Sequence, residues 1–347
     1  SPRFGRRRSW IVPMQAGLAL SCLAAAFVPV STGLGLLLGL VFLMNLFAAT
    51  QDIAVDGLAV DLLSDRELGP GNAAQVVGYK LGILTSSGAL LWATAFIGWR
   101  GLFLSMAAIT GAVLVVSLTY RETPPGAGAV GPARERQTLK DVLSTLVRTL
   151  RLPGTPWLLA FIACYKIGEQ MFTSMFKPFL VDAGFSPSRI GLWVGTYGMV
   201  FSIAGSLAGG WLAARMKLVR AVGIAALLRA LPLVGAWLLT FEKVPPELHI
   251  IAVTCTEHFF AGVLTTSMFA FMMSRVDRSI GATHFTLLAS VEVLGKSLGS
   301  MPSGFITGRY GYGTVFLLAW VLSVAYLALL WPKLSRTSEP PAVHAGA

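Results

Sequence analysis

The chain has 347 residues, of which 55% are apolar and only 12% charged, and its mean hydropathy is +0.71. Such a composition excludes a pair of water-soluble domains. Apolar runs recur at about the 20 residues that a helix needs to cross a ~30 Å hydrocarbon layer, which also excludes a soluble domain on a single anchor. The net charge of +11 is carried at the ends of apolar runs and not along one polar stripe, so it speaks for membrane topology and against nucleic acid as a partner.

Taken in chain order, charges, Gly and Pro divide the apolar runs into ten predicted helices. They cover residues 10–29, 33–61, 72–98, 101–120, 155–180, 188–213, 219–240, 248–273, 281–307 and 312–331. The arginine cluster of SPRFGRRRSW leads into a full-length span with no small-residue cleavage site, so it does not read as a signal peptide. Because the chain opens on Ser1, an upstream piece is expected.

The one long polar stretch, 121–152, opens with PPGAGAVGP and reads as a linker. Within it Thr138 and Asp141 have capping-box spacing, and Leu139, Leu143, Leu146 and Leu150 share a face, which predicts a short helix lying on the membrane surface. The domain plan is therefore a half-bundle at 1–120, the linker at 121–152, a second half-bundle at 153–332 and a tail at 333–347. With the N-terminus inside, eighteen Lys and Arg residues fall on the inner side and five on the outer. That bias places both termini and the linker in the cytoplasm.

Charges inside membrane helices are expensive, at ~2.5–3.5 kcal/mol on insertion scales, and so are expected to face a cavity or a partner. Counting ~1.5 Å per residue from the cytoplasmic end puts Asp52 and Asp56 at depths of roughly 14 and 8 Å and Lys80 at roughly 12 Å, which allows an ion pair from an Asp to Lys80. In the second half Lys166 and Glu169 share a helix face at i, i+3, and Glu292 and Lys296 share one at i, i+4. Lys166 and Glu292 come out at roughly 16 Å, with Glu257 near the same level, at the depth where transporters hold substrate and coupling ions. Each pair could neutralise itself and only lock the fold, or one carboxylate could exchange a proton. Arg229 is also deep, but nothing in the sequence assigns it a role. His258 and His284 read as hydrogen-bonded packing residues ahead of proton relays.

Glycines four apart recur at Gly35 and Gly39, Gly78 and Gly82, Gly191 and Gly195, Gly205 and Gly209, Gly295 and Gly299, and Gly304 and Gly308. This spacing predicts close helix contacts. Cys22, Cys164 and Cys255 all sit in apolar runs without CxxC spacing, which predicts packing residues and no metal site. Among only four histidines there is no HExxH, and there is no GxSxG, so a membrane-embedded protease or acyltransferase is not expected and the chain reads as no enzyme.

Several segments resemble bacterial muropeptide permeases and the related acetyl-coenzyme A transporters of the major facilitator superfamily. They are GRRRSW, ATQDIAVDGLAVDLL, VVGYKLGILTSSGALLW, YKIGEQM and GATHFTLLASVEVLGKSLGSMPSGFITGRYG, and the likeness covers nearly the whole chain. The resemblance implies an all-α polytopic membrane protein with a bundle of six plus six helices, of which the first two of the usual twelve are absent here. It further implies a secondary transporter in the bacterial inner membrane that works by alternating access without a cofactor. The expected partners are an anionic or sugar-peptide solute, protons and the lipid bilayer.

An anhydromuropeptide is the first substrate expected and acetyl-coenzyme A or another acylated nucleotide the second. A non-transporting sensor or assembly protein of the same fold is the reading from a different class. The expected substrate or proton pathway is Gln51, Asp52, Asp56, Lys80, Tyr165, Lys166, Glu169, Glu257, Glu292 and Lys296. Arg6, Arg7, Arg8, Gly78, Gly82, Gly205, Gly209, Gly295 and Gly299 are expected to serve gating or helix packing.

Overall fold

The computed structural model describes residues 7–29, 33–64, 66–120, 139–152, 154–277 and 280–330, and among these there is no strand. Arg6, the linker up to Thr138 and the tail at 333–347 lie outside the described residues. The helices are α1 (Arg8–Ala25), α2 (Leu34–Leu62), α3 (Leu68–Ile83), α4 (Leu91–Thr119), α5 (Leu139–Leu150), α6 (Thr155–Asp182), α7 (Pro187–Ile190), α8 (Gly198–Arg215), α9 (Leu218–Leu239), α10 (Glu247–Ser274) and α11 (Gly281–Ala325). A π-helical run, Leu84–Leu90, joins α3 to α4, and another, Gly191–Tyr197, joins α7 to α8.

Two glycines in left-handed conformations divide what would otherwise be overlong helices. Gly98 (φ 63°) breaks α4 and Gly311 (φ 80°) breaks α11. Residues with a Cβ avoid this region, so glycine is what permits the chain to reverse there without a longer loop. Among the described residues six stretches are long and apolar enough to cross a membrane: Leu34–Leu62, Phe96–Thr119, Ser188–Arg215, Leu218–Leu239, Glu247–Ser274 and Gly281–Leu329. The last, with 49 residues, holds two crossings once the break at Gly311 is counted. α5 is strongly amphipathic, as its leucine spacing predicts.

The chain forms two compact units. The first combines Ser1–Ser64, Gly78–Arg151 and Arg275–Leu287, and the second combines Asp65–Val77, Leu152–Ser274 and Leu288–Ala347. In the first unit α1 packs on α2 and α4 around Cys22, Ala25, Ala26, Met44 and Phe103. Arg7 donates from Nε and Nη2 to Asp61 Oδ2 at 3.0 and 2.9 Å. The guanidinium lies where a Cβ on residue 57 would be, and Gly57 leaves that space open. Arg8 donates to the carbonyl of Leu118 in the last turn of α4, where helix carbonyls run out of intrahelical donors. These two arginines thus tie together the ends of α1, α2 and α4.

In the second unit the core is aromatic, with the rings of Phe172, Phe176 and Phe179 all against Phe316 and with Trp193, Leu233 and Ile250 in the same core. Two glycine seams run beside it. On α8, a Cβ at Gly205 would strike the carbonyl of Phe259, and one at Gly209 would strike that of Val263 on α10. On α11, Gly295 and Gly299 meet the carbonyls of Ala163 and Ile167 on α6 in the same way. At Gly35, Gly39, Gly78, Gly82, Gly191, Gly195, Gly304 and Gly308, by contrast, an added Cβ would meet nothing within 4 Å among the described residues. The spacing marks a smooth stripe in each case, but among the described residues only two of the six stripes have a backbone lying against them. Cys22 and Cys255 are buried and Cys164 half-buried, all as free thiols.

Substituting Gly205→Val should therefore force α8 and α10 apart and cost about 1–3 kcal/mol, whereas Gly304→Ala should be neutral or slightly stabilising, since glycine in a helix interior is itself unfavourable. Thermal unfolding midpoints of the two purified variants in one detergent would separate the cases.

Candidate functional site: a buried chain of ion pairs

The α6–α11 seam determines what its flanking side chains can reach. Gly295 lies one turn from Glu292, and Ala163, whose carbonyl it meets, lies one turn before Lys166. The close backbone approach lets side chains of ordinary length join across the two helices. Tyr165 donates from its hydroxyl to Glu292 Oε1 at 2.9 Å, and Lys166 Nζ lies 3.9 Å from the same oxygen. Lys296 Nζ, one turn further along α11, lies 3.1 Å from it.

Lys166 makes its shortest contact on its own helix, donating to Glu169 Oε1 at 2.7 Å, with Thr265 Oγ1 at 3.4 Å from α10. Beyond Glu169 the chain passes to α9: Arg229 Nε is 3.6 Å from Glu169 Oε2. Arg229 Nη2 then donates to Glu257 Oε1 on α10 at 2.6 Å. Glu257 Oε2 lies 2.8 Å from His258 Nδ1, which is also 3.0 Å from the carbonyl of Thr254. Both neighbours of Nδ1 are acceptors, so the proton of a neutral imidazole is assigned to that nitrogen.

Seven titratable side chains from four helices thus form one sequence of alternating sign: Lys296, Glu292, Lys166, Glu169, Arg229, Glu257 and His258. Three cations face three carboxylates, and with His258 neutral the set carries no net charge. Burial makes this balance necessary, because an unpaired charge in such surroundings would cost several kcal/mol. The two ends are the most exposed: the Lys296 side chain is 40% exposed and that of His258 25%, against 15% for Glu169 in the middle and 3–5% for Glu292, Lys166, Arg229 and Glu257.

Of the residues singled out in the sequence, the structure therefore brings together Tyr165, Lys166, Glu169, Glu257, Glu292 and Lys296. The helix that joins them is α9, through Arg229, for which the sequence offered no role. Depth was the available signal, since Arg229 lies roughly 16 Å along α9 at the same rise per residue, level with Lys166 and Glu292. His258 belongs to the set as well. His284 accepts at Nδ1 from the backbone N–H of Asp277, a packing arrangement.

The other pathway candidates, Gln51, Asp52, Asp56 and Lys80, belong to the first unit. Asp52 is exposed on α2. Gln51, Asp56 and Lys80 are half-buried, and Asp56 and Lys80 each take part in a polar or electrostatic interaction. Among the described residues no three His, Cys, Asp or Glu side chains are grouped so as to hold a metal ion.

Membrane-length helices and an intramembrane charge cluster define a polytopic helical membrane protein. A sequence profile of the Major Facilitator Superfamily matches residues 1–279, and the chain belongs to that superfamily. The Anhydromuropeptide permease of Escherichia coli (strain K12) is 30% identical over 335 residues. The match covers 95% of this chain and 66% of the permease, so the chain spans slightly less than two thirds of that relative's length. Among solved structures, the transporter FucP in its outward conformation aligns with a TM-score of 0.71 and 13% identity, over 98% of this chain and 85% of FucP. The human organic anion transporter MFSD10 aligns with a TM-score of 0.63 and 17% identity, over 93% and 77% of the two chains. At these identities the structural matches establish the fold.

Removing one member of the innermost pair should be more damaging than removing both. Arg229→Gln leaves Glu257 buried with its cation gone and should cost about 3–5 kcal/mol. The double variant Arg229→Gln with Glu257→Gln should recover much of that loss. The check is a double-mutant cycle on unfolding of the purified protein.

Proposed function

We propose that this chain forms part of a secondary transporter that imports a polar, anionic solute together with protons by alternating access, and that the solute is a cell-wall anhydromuropeptide. The observation that carries this reading is the charge-balanced chain in the second unit. A cluster that only locked helices together would gain nothing from exposed ends, and hydrophobic replacements of buried ion pairs are often at least as stable. A cluster that receives a charged solute and a proton needs both ends open and a neutral interior. Similarity to the Escherichia coli permease supports the choice of solute.

The bias of Lys and Arg supports an orientation with both termini in the cytoplasm, in the bacterial inner membrane.

The test is uptake of labelled anhydromuropeptide into permease-deficient bacteria that express the complete reading frame, with and without a protonophore. Uptake is expected, and the protonophore should abolish accumulation. In Glu292→Gln, uptake should fall at least tenfold while the protein remains in the membrane. Absence of uptake by membrane-inserted wild-type protein would overturn the assignment of the solute.

A further inference from the structure

The distances along the chain of ion pairs alternate. Short links of 3.1 Å (Lys296 to Glu292), 2.7 Å (Lys166 to Glu169) and 2.6 Å (Arg229 to Glu257) are separated by loose ones of 3.9 Å (Lys166 to Glu292) and 3.6 Å (Arg229 to Glu169). Glu292 and Glu169 therefore each sit between a near cation and a second cation about 1 Å further away, while Glu257 lies between Arg229 at 2.6 Å and His258 Nδ1 at 2.8 Å. The looser junction also shows unused bonding capacity: Glu169 Oε2, Arg229 Nε and Arg229 Nη1 are buried without a hydrogen-bond partner among the described residues.

The same side chains can thus pair in a second register. Glu292 would take Lys166, Glu169 would take Arg229, and Glu257 would be left to His258. That shift releases one positive charge at Lys296 and calls for one at His258. We propose that this shift of partner is the coupling device of the transporter, with an anionic group of the solute received at Lys296 and the coupling proton at His258. The inference rests on the transport reading above and deepens it.

The charge count closes. A monovalent anion on Lys296 substitutes for Glu292, each cation moves one partner along, and one proton from water protonates the free Nε2 of His258, giving an imidazolium against Glu257. One proton is taken up per anionic group bound, and the interior stays neutral throughout. The receiving groups are the two most exposed members of the set, and charges on membrane-crossing helices face water-filled space in preference to lipid. The groups that face His258 are Glu257 and the Thr254 carbonyl on its own helix and Arg229 from α9, with Glu169 and Lys166 of α6 one partner further. From α8 it meets the backbone at Gly198, where a Cβ would strike the ring. A long-range field from Lys296 could also act on His258, but only re-pairing requires the middle link at Glu169.

Replacing Lys296 by Gln does to the chain what a docked anion would do, which allows a test without any solute. The protonation of His258 in the reconstituted, complete protein can be read at pH 7 from imidazole 15N signals, assigned through His258→Gln. In Lys296→Gln the ratio of protonated to neutral His258 should rise at least threefold over wild type, and Lys296→Arg should restore the wild-type ratio. Adding Glu169→Gln to Lys296→Gln should abolish the rise. An unchanged ratio in Lys296→Gln, or a rise that persists without Glu169, would overturn the relay.

Titrating the wild type with an anhydromuropeptide carrying free carboxylates, and with its fully amidated form, then separates the two readings. Proton uptake with the acid form only supports the assignment of Lys296, and equal uptake with both forms overturns it. If neither form binds while the substitutions behave as expected, the relay stands and the choice of solute in the transport reading fails.

Discussion

Everything distinctive in the second unit follows from the cost of a charge without a partner in a medium that cannot solvate it. Four helices each contribute at least one ionised side chain at about the same depth, and none of these could be tolerated alone. Partnering them demands that helix axes approach closely enough for the side chains to meet. For α6 and α11 the seam at Gly295 and Gly299 provides that approach, while the seam at Gly205 and Gly209 holds α10, which carries Glu257, against α8. Packing and electrostatics are therefore not separable here. A bulkier residue in a seam would act on the ion pairs by moving the backbone that carries them.

The first unit meets the same constraint in another way. Its well-defined charged contacts, Arg7 with Asp61 and Arg8 with the end of α4, lie at helix termini where water is near, so each tolerates partial exposure. Contacts of this kind fix where helices end, beside an apolar core of Cys22, Met44 and Phe103. In the second unit the chain of ion pairs instead joins the middles of α6, α9, α10 and α11.

Much of this was readable from residue order, because the bilayer reduces the choices. Membrane-length runs and Gly/Pro punctuation predicted the helices, including the reversals near Gly98 and Gly311, where the structure shows left-handed glycines. Lys166 with Glu169 and Glu292 with Lys296 were readable as pairs, since both members of each lie on one helix at fixed spacing. The contacts between helices were not. Whether Arg229 meets Glu257, and whether Glu292 meets Tyr165, depends on how α6, α9, α10 and α11 are rotated about their own axes, and no spacing within a single helix contains that angle. The glycine stripes show the same limit, because a stripe states that a helix can be approached and not that it is.

The π-helical run at Gly191–Tyr197 explains one of those stripes. In an uninterrupted α-helix, positions fourteen residues apart return to within about 40° of one another, so Gly191, Gly195, Gly205 and Gly209 would form a single track. Hydrogen bonds from i to i+5 widen the turn, and over seven residues the upstream part falls behind in angular phase. The downstream pair then lies against α10 while the upstream pair points elsewhere, into open space. One segment can in this way present two differently aimed smooth faces. A helical wheel drawn through Tyr197 would superimpose them and assign half of its positions to the wrong side.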